Sequence, residues 1–259
     1  MKPLLILGLS ALTATAGDLP GWNLVWGDEF DHPGQPDPAK WSYETGLVRN
    51  HEQQFYTDNR RENARVEDGK LILEARKEPM GGGQFTSASV ISRGHAAWTY
   101  GRIEVKAKLP AARGTWPAIW LLPNDISTVP WPRCGEIDLM EHVGHDPGRV
   151  HGTLHCEAFN HVKHTQRGAI QSVPTASSEF HLYAMDWSAE RIVMQIDGAS
   201  YATFERKPGD TPAEWPFNKP FYLILNLAIG GGWGGQQGVD DSAFPQRMEV
   251  DYVRVYQKK

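Results

Sequence analysis

The chain has only two cysteines in 259 residues, Cys134 and Cys156, so no disulfide framework holds it together and no four-cysteine zinc site can form. Basic runs are also missing beyond the terminal pair Lys258–Lys259, and the formal net charge is −5. That balance argues against nucleic acid or an anionic membrane as a partner. After the N-terminus no apolar stretch reaches bilayer-spanning length. No HExxH motif is present, and the glycine run "GGGWGG" lacks the Lys-Ser/Thr of a phosphate loop and has no helix pattern after it. Amphipathic helices are scarce, with at most a turn or two expected near residues 210–217. Strand–helix alternation is absent, which argues against parallel-sheet folds.

What the chain does have is punctuation and alternation. Its 26 glycines and 18 prolines suit a turn-rich β protein, and ten tryptophans exceed what a core of this size needs. Residues 70–76, 101–109, 181–187, 191–197, 221–229 and 248–256 alternate as strands, and Asp197-Gly198 reads as the turn of a hairpin. The expected architecture is therefore all-β, with one domain over residues 17–259. Residues 1–16 read as a signal peptide: Lys2, a short apolar stretch over residues 4–12, then Ala14-Thr15-Ala16 as a cleavage site. A buried N-terminal helix is the alternative. Export without a membrane anchor follows from the leader reading, to the periplasm or the extracellular space.

The stretch "GEIDLMEHVG" sets three acids into an otherwise buried strand, at Glu136, Asp138 and Glu141. Glu136 and Asp138 share a strand face, about 6.6 Å apart at Cα. In a regular strand Glu141 falls on the other face, and one extra residue around Leu139–Met140, a β-bulge, returns it to the first. Ile137 and Leu139 then point to the core. Such a row suits glycoside hydrolysis, where one carboxyl protonates the leaving oxygen and a second attacks or activates water. A third acid beside the nucleophile tunes its charge. A solvated strand face, or a cation site of three oxygen ligands, remains the alternative for the motif alone.

Neighbouring segments support a cleft. "GTWPAIWLLP" puts Trp116 and Trp120 on one face, as sugar-stacking platforms or, alternatively, as core. "VHGTLHC" alternates, and its two histidines, about 13 Å apart in a strand, are too far apart to share an ion, so His155 reads as a hydrogen-bonding cleft residue. If residues 135–141 and 150–156 pair antiparallel, Cys134 falls close to Cys156, and a disulfide or a close thiol pair is expected there.

Together "GEIDLMEHVG", "GTWPAIWLLP", "HGTLH", "NLAIGGGWGG" and the closing "MEVDYVRVYQ" resemble glycoside hydrolase family 16, in its bacterial laminarinase (endo-β-1,3-glucanase) branch. The likeness covers the chain from "LVWGDEFD" to the C-terminus. It implies a β-jelly-roll sandwich of two antiparallel sheets with a glucan cleft on the concave one, and endo-acting hydrolysis with retention. It assigns Glu136 as nucleophile, Glu141 as general acid/base and Asp138 as the assisting acid. The extra residue Met140 marks the bulged form of the motif. Asn50, Arg93, Trp116, Trp120, His155 and Trp233 match sugar-contacting or cleft-lining positions. The likeness also implies a structural Ca2+ held by Glu29, the Gly69 carbonyl and Asp251, and no cofactor for catalysis.

By the same resemblance the partner is a β-1,3-glucan, with mixed-linkage β-1,3-1,4-glucan as an extension, and the protein is expected to act as a monomer. Two alternatives stand beside this. One is a relative acting on agar or carrageenan, toward which Arg49 and His51 in "LVRNHEQQ" point, since they suit an acidic or sulfated sugar. The other is a non-catalytic glucan-binding protein, against which both glutamates count.

Overall fold

The computed structural model describes residues 19–259, and the leader assigned to residues 1–16 lies outside them. Seventeen strands form two large antiparallel sheets and one small parallel pair. The sheet that carries the acids runs β12 (Arg167–Ser172), β11 (Arg149–His155), β10 (Glu136–Glu141), β9 (Thr115–Pro123), β16 (Phe221–Ile229), β7 (Ser89–Ile91), β2 (Ser42–Tyr43). The second sheet runs β15 (Ala199–Glu205), β14 (Arg191–Ile196), β13 (His181–Trp187), β8 (Gly101–Lys108), β17 (Gln246–Lys258), β5 (Lys70–Ala75), β4 (Ala64–Glu67), and β1 (Trp22–Asp28) pairs with the far end of β17. The pair β3 (Gln54–Tyr56) and β6 (Phe85–Ser87) is parallel, the one departure from the expected antiparallel pattern.

The chain folds this way because its alternating strands each have one apolar face to hide. Val105, Tyr183, Met194, Met248 and Val253 come from the second sheet. They meet Ile119, Leu121, Ile137, Leu154, Leu223 and Leu225 from the first in one buried cluster. The six strands read from alternation are all present within a residue or two of the expected ends. The β14–β15 hairpin turns at Asp197 and Gly198, both at positive φ, as a two-residue primed turn requires. Residues 210–217 contain no helix; among the described residues the one α-helical turn is α1 (Gly231–Gly234), inside the glycine run.

The bulge in β10 is present. Asp138 pairs with Thr153 of β11 and Glu141 with His151, so Gly152 alone faces Leu139 and Met140. On the β9 side Asp138 pairs with Trp120 and Met140 with Ile119, leaving Leu139 as the extra residue. Leu139 and Met140 both lie in the main core, as the two residues of a bulge do when they turn the same way. A bulged residue loses ladder partners, and here the debt is met from the other sheet: the Tyr201 hydroxyl on β15 donates to the Leu139 carbonyl at 2.7 Å. Gly152 leaves the passage open, because a Cβ there would lie 2.3 Å from the Tyr201 hydroxyl oxygen.

Tyr201→Phe is expected to lower stability by about 1–3 kcal/mol, the cost of a buried carbonyl left without a donor. Urea unfolding measures it, and an unchanged midpoint would show that the bulge does not depend on this bond.

Candidate active site

The register fixes which side chains share a face. Trp120 stands opposite Asp138 on β10 and opposite Ile224 on β16, while Glu141 stands opposite Ala118 and His151. Glu136, Asp138 and Glu141 therefore project together from the face away from the main core. A second apolar cluster lies on this same face: Ile91, Ala118, Trp120, Leu122, Tyr222 and Ile224. It is buried not by the sandwich but by loops folded over the sheet, and these loops form the walls of the cleft.

The acids are held closely. Asp138 is 2 % exposed, and Glu136 and Glu141 are partly open to the cleft. His155, which pairs with Glu136 across the ladder, brings Nε2 to 3.7 Å from Glu136 Oε1 and 3.3 Å from Asp138 Oδ2. Glu141 Oε1 accepts a 3.0 Å hydrogen bond from the Trp116 indole N–H. Burial, then the charge of Asp138, pushes Glu136 up to about 8, against the pull of His155. Asp138 is raised well above the ordinary carboxylate range, first by burial and then by Glu141. Burial also raises Glu141, with the Trp116 hydrogen bond opposing. Three carboxyls this close cannot all ionise, so the row holds protons at neutral pH.

The residues expected to line the cleft divide into two groups. Trp116, His155 and Trp233 stand at the acids. Trp233 sits on α1 and meets Trp116 edge-on at 5.5 Å between ring centroids and His151 at 4.8 Å. The glycine run is thus an ordered turn rather than a connector, and a Cβ at Gly234 would lie 2.9 Å from Trp116 Cβ. Asn50, at positive φ, joins this wall, since its carbonyl accepts from Gly232 N and its amide donates to Glu52. Trp120 pairs with Asp138 but lies beneath Arg49, and Arg93 stands beyond β16. Trp120 is no open platform: it is 7 % exposed, its indole N–H goes to Asn226 at 2.7 Å, and the Arg49 guanidinium lies 4.9 Å over its ring. Arg93 is exposed and lies over the Tyr222 ring at 5.5 Å.

Several wall residues escaped the sequence reading. Glu44 pairs with Arg49 and accepts from Ser89, Glu52 accepts from Asn50 and Gln54, and Tyr56 accepts from Asn226. Trp131 packs beside His155, and His161 beside both. Tyr56 comes from the three-residue strand β3 and the others from segments without periodicity, so only the count of tryptophans hinted at them.

One expectation is corrected: of the disulfide or close thiol pair expected at Cys134 and Cys156, the disulfide does not form, since both are buried free thiols. Gly135, at positive φ, turns the chain before β10, and the two thiols donate to different carbonyls, those of Gly135 and Glu214. Arg49, one of the two residues expected to suit an acidic sugar, pairs with Glu44 where it covers Trp120; His51 is exposed.

The positions expected to hold calcium lie on the opposite sheet. β1 and β5 abut along one edge of β17, so Glu29, Gly69 and the bulged Asp251 come near one another. Both carboxylates already have cations: Arg254 grips Glu29 through two bonds of 2.7 and 2.8 Å, and Lys106 meets Asp251 at 2.8 Å.

A β-sandwich whose loop-walled face carries three proton-sharing carboxyls among aromatic side chains defines a polysaccharide hydrolase. Residues 51–254 match the model of glycosyl hydrolases family 16, and the chain belongs to that family. It is 52% identical to a β-glucanase of Rhodothermus marinus over 97% of its own length and 91% of that protein's. The solved laminarinase from Rhodothermus marinus matches with a TM-score of 0.91 and 52% identity, covering 93% of this chain and 99% of that one. SCLam, a non-specific endo-β-1,3(4)-glucanase, matches at 0.89 with 47% identity over 93% of this chain and 96% of its own. That structure is of a glutamate-to-serine mutant co-crystallised with 1,3-β-D-cellotriosyl-glucose and presents 1,3-β-D-cellobiosyl-glucose at the active site. The protein is accordingly an endo-acting β-glucan hydrolase with a jelly-roll fold, and the binding-only alternative is set aside.

Carboxyl-resolved NMR titration is expected to place Glu136 near 8 rather than near its ordinary 4.5. Asp138→Asn is expected to bring it down, since the neighbouring charge that raises it is gone. A wild-type value near the ordinary one would show that the three acids do not share protons.

Proposed function

We propose that the protein is an exported, retaining endo-β-1,3-glucanase that cleaves laminarin-type chains and tolerates mixed β-1,3-1,4 linkages. The observation that carries this reading is the bulged row Glu136–Asp138–Glu141 on the cleft face, with His155 Nε2 beside Glu136 and Asp138 and the Trp116 indole hydrogen-bonded to Glu141. In the first step Glu141 gives its proton to the glycosidic oxygen while Glu136 attacks the anomeric carbon. The glycosidic C–O bond breaks, the leaving chain departs as an alcohol, and a glycosyl ester forms on Glu136. In the second step Glu141 takes a proton from water, whose oxygen attacks the same carbon and restores the Glu136 carboxylate. In its protonated form Asp138 donates to Glu136 when that group carries charge, and His155 Nε2 stands beside both. Trp116 aims Glu141 by holding one of its oxygens.

The neutral wall around Trp120 favours an uncharged glucan, and the Arg49–Glu44 pair removes the main argument for a sulfated one. The relatives named above are β-glucanases, which supports the same choice. Asn50, Arg93, Trp116, Trp120, His155 and Trp233 are proposed as the sugar-facing residues. Trp120 then acts mainly by carrying Arg49 and fixing Asn226.

Incubation of the mature protein with laminarin, barley mixed-linkage glucan and agarose tests the reading. Short oligosaccharides from laminarin, first appearing as β-anomers in proton NMR, are the expected products. Glu136→Ala and Glu141→Ala should each cost at least about a hundredfold in turnover while the fold is kept. Agarose cleavage without laminarin cleavage would move the substrate, α-anomeric first products would remove retention, and active glutamate variants would remove the roles.

A structural calcium at Glu29, Gly69 and Asp251 is proposed on its hard oxygen donors alone. Added Ca2+ is expected to raise the melting temperature and a chelator to lower it. An unmoved melting temperature would mean that Arg254 and Lys106 hold these carboxylates without an ion.

A further inference from the structure

We propose that Glu136, Asp138 and His155 also form an inhibitory site for a first-row divalent cation of the zinc type. Among the described residues this is the one trio of His, Cys, Asp and Glu side chains whose donor atoms converge, all within 4.8 Å of one another. The spacing suits a tetrahedral ion. Ligands at about 2.0–2.1 Å from zinc stand roughly 3.3–3.4 Å apart along the edges of the tetrahedron. His155 Nε2 lies 3.3 Å from Asp138 Oδ2 and 3.7 Å from Glu136 Oε1, so small side-chain shifts complete the geometry.

A second observation points to a ligand at this place. Asp138 Oδ2 is buried without a hydrogen-bond partner on a residue only 2 % exposed, although the imidazole nitrogen stands next to it. A buried carboxylate oxygen with no donor is costly, and a cation between it and the imidazole Nε2 would give it a partner. The imidazole is held in place by its neighbours: Trp131 packs at 6.1 Å and His161 at 5.2 Å between ring centroids. Glu136 is partly open to the cleft, which gives an ion its route in and leaves the fourth position to water.

The donor set chooses the ion. One imidazole and two carboxylates suit zinc or its neighbours in the first transition row, whereas calcium and magnesium ask for six or more oxygens. A cation bound here occupies two of the three carboxyls, so it excludes the sugar that spans them. The assignment rests on the geometry of three side chains and holds whichever glucan is cleaved.

Zinc chloride titrated calorimetrically into the metal-free mature protein tests it. One ion per chain is expected, with affinity weaker by about tenfold or more in His155→Ala and in the near-isosteric Glu136→Gln. The exposed His164→Ala should bind as the wild type does, and circular dichroism confirms that each variant is folded. Zinc should also inhibit glucan cleavage competitively, and a chelator should reverse it. No heat with the wild type would overturn the site, as would affinity unchanged in both site variants. Binding without competitive inhibition would overturn its placement at the carboxyls.

Discussion

Everything in this cleft depends on one irregular peptide, the carbonyl of Leu139. Without the extra residue in β10, Glu141 would point into the sandwich and Glu136 would face the cleft with Asp138 alone. The bulge that prevents this leaves a backbone oxygen short of a ladder partner, and Tyr201 from the opposite sheet supplies the donor. Gly152 is the necessary complement, a gap one side chain wide at the single position facing the bulge. The second sheet thus does more than bury the core, because it sets the phase of the catalytic strand.

The carboxyl row is tolerable because its charges are never all present. Burial penalises each carboxylate, and mutual repulsion penalises the set, so protons stay on the row that isolated carboxyls would release. Trp116 adds a donor at one end and the His155 imidazole stands at the other, so the row is not neutralised as a whole. That leaves the site poised between an acid and a base, as two-step glycosyl transfer requires.

The cleft walls obey a different logic. They are largely loops, tied to one another and to the strands by polar groups: Arg49 to Glu44 over Trp120, Asn50 and Gln54 to Glu52, Asn226 between Tyr56 and Trp120. The α1 turn comes so close to Trp116 that only glycine fits at Gly234. A tryptophan on the cleft face is therefore not automatically a sugar platform. Trp116 and Trp233 are open to the cleft, while Trp120 is the floor on which another side chain rests.

Alternation and turn chemistry were enough to read the long strands, the β14–β15 hairpin and the all-β class, because those signals are local and repeat every two residues. The spacing of the three acids was legible too, since a two-fold period broken by one residue has a single simple structural solution. Tertiary structure alone decided what the sequence could not encode locally. The partner of the Leu139 carbonyl lies 62 residues away. Cys134 and Cys156 fall near each other in register, yet the Gly135 turn directs their thiols to separate carbonyls. Arg49 looked like a free cation until Glu44 and Trp120 were folded against it. Register and periodicity belong to the chain itself, whereas charge pairing and the filling of backbone vacancies depend on groups that meet only after the sheets have packed.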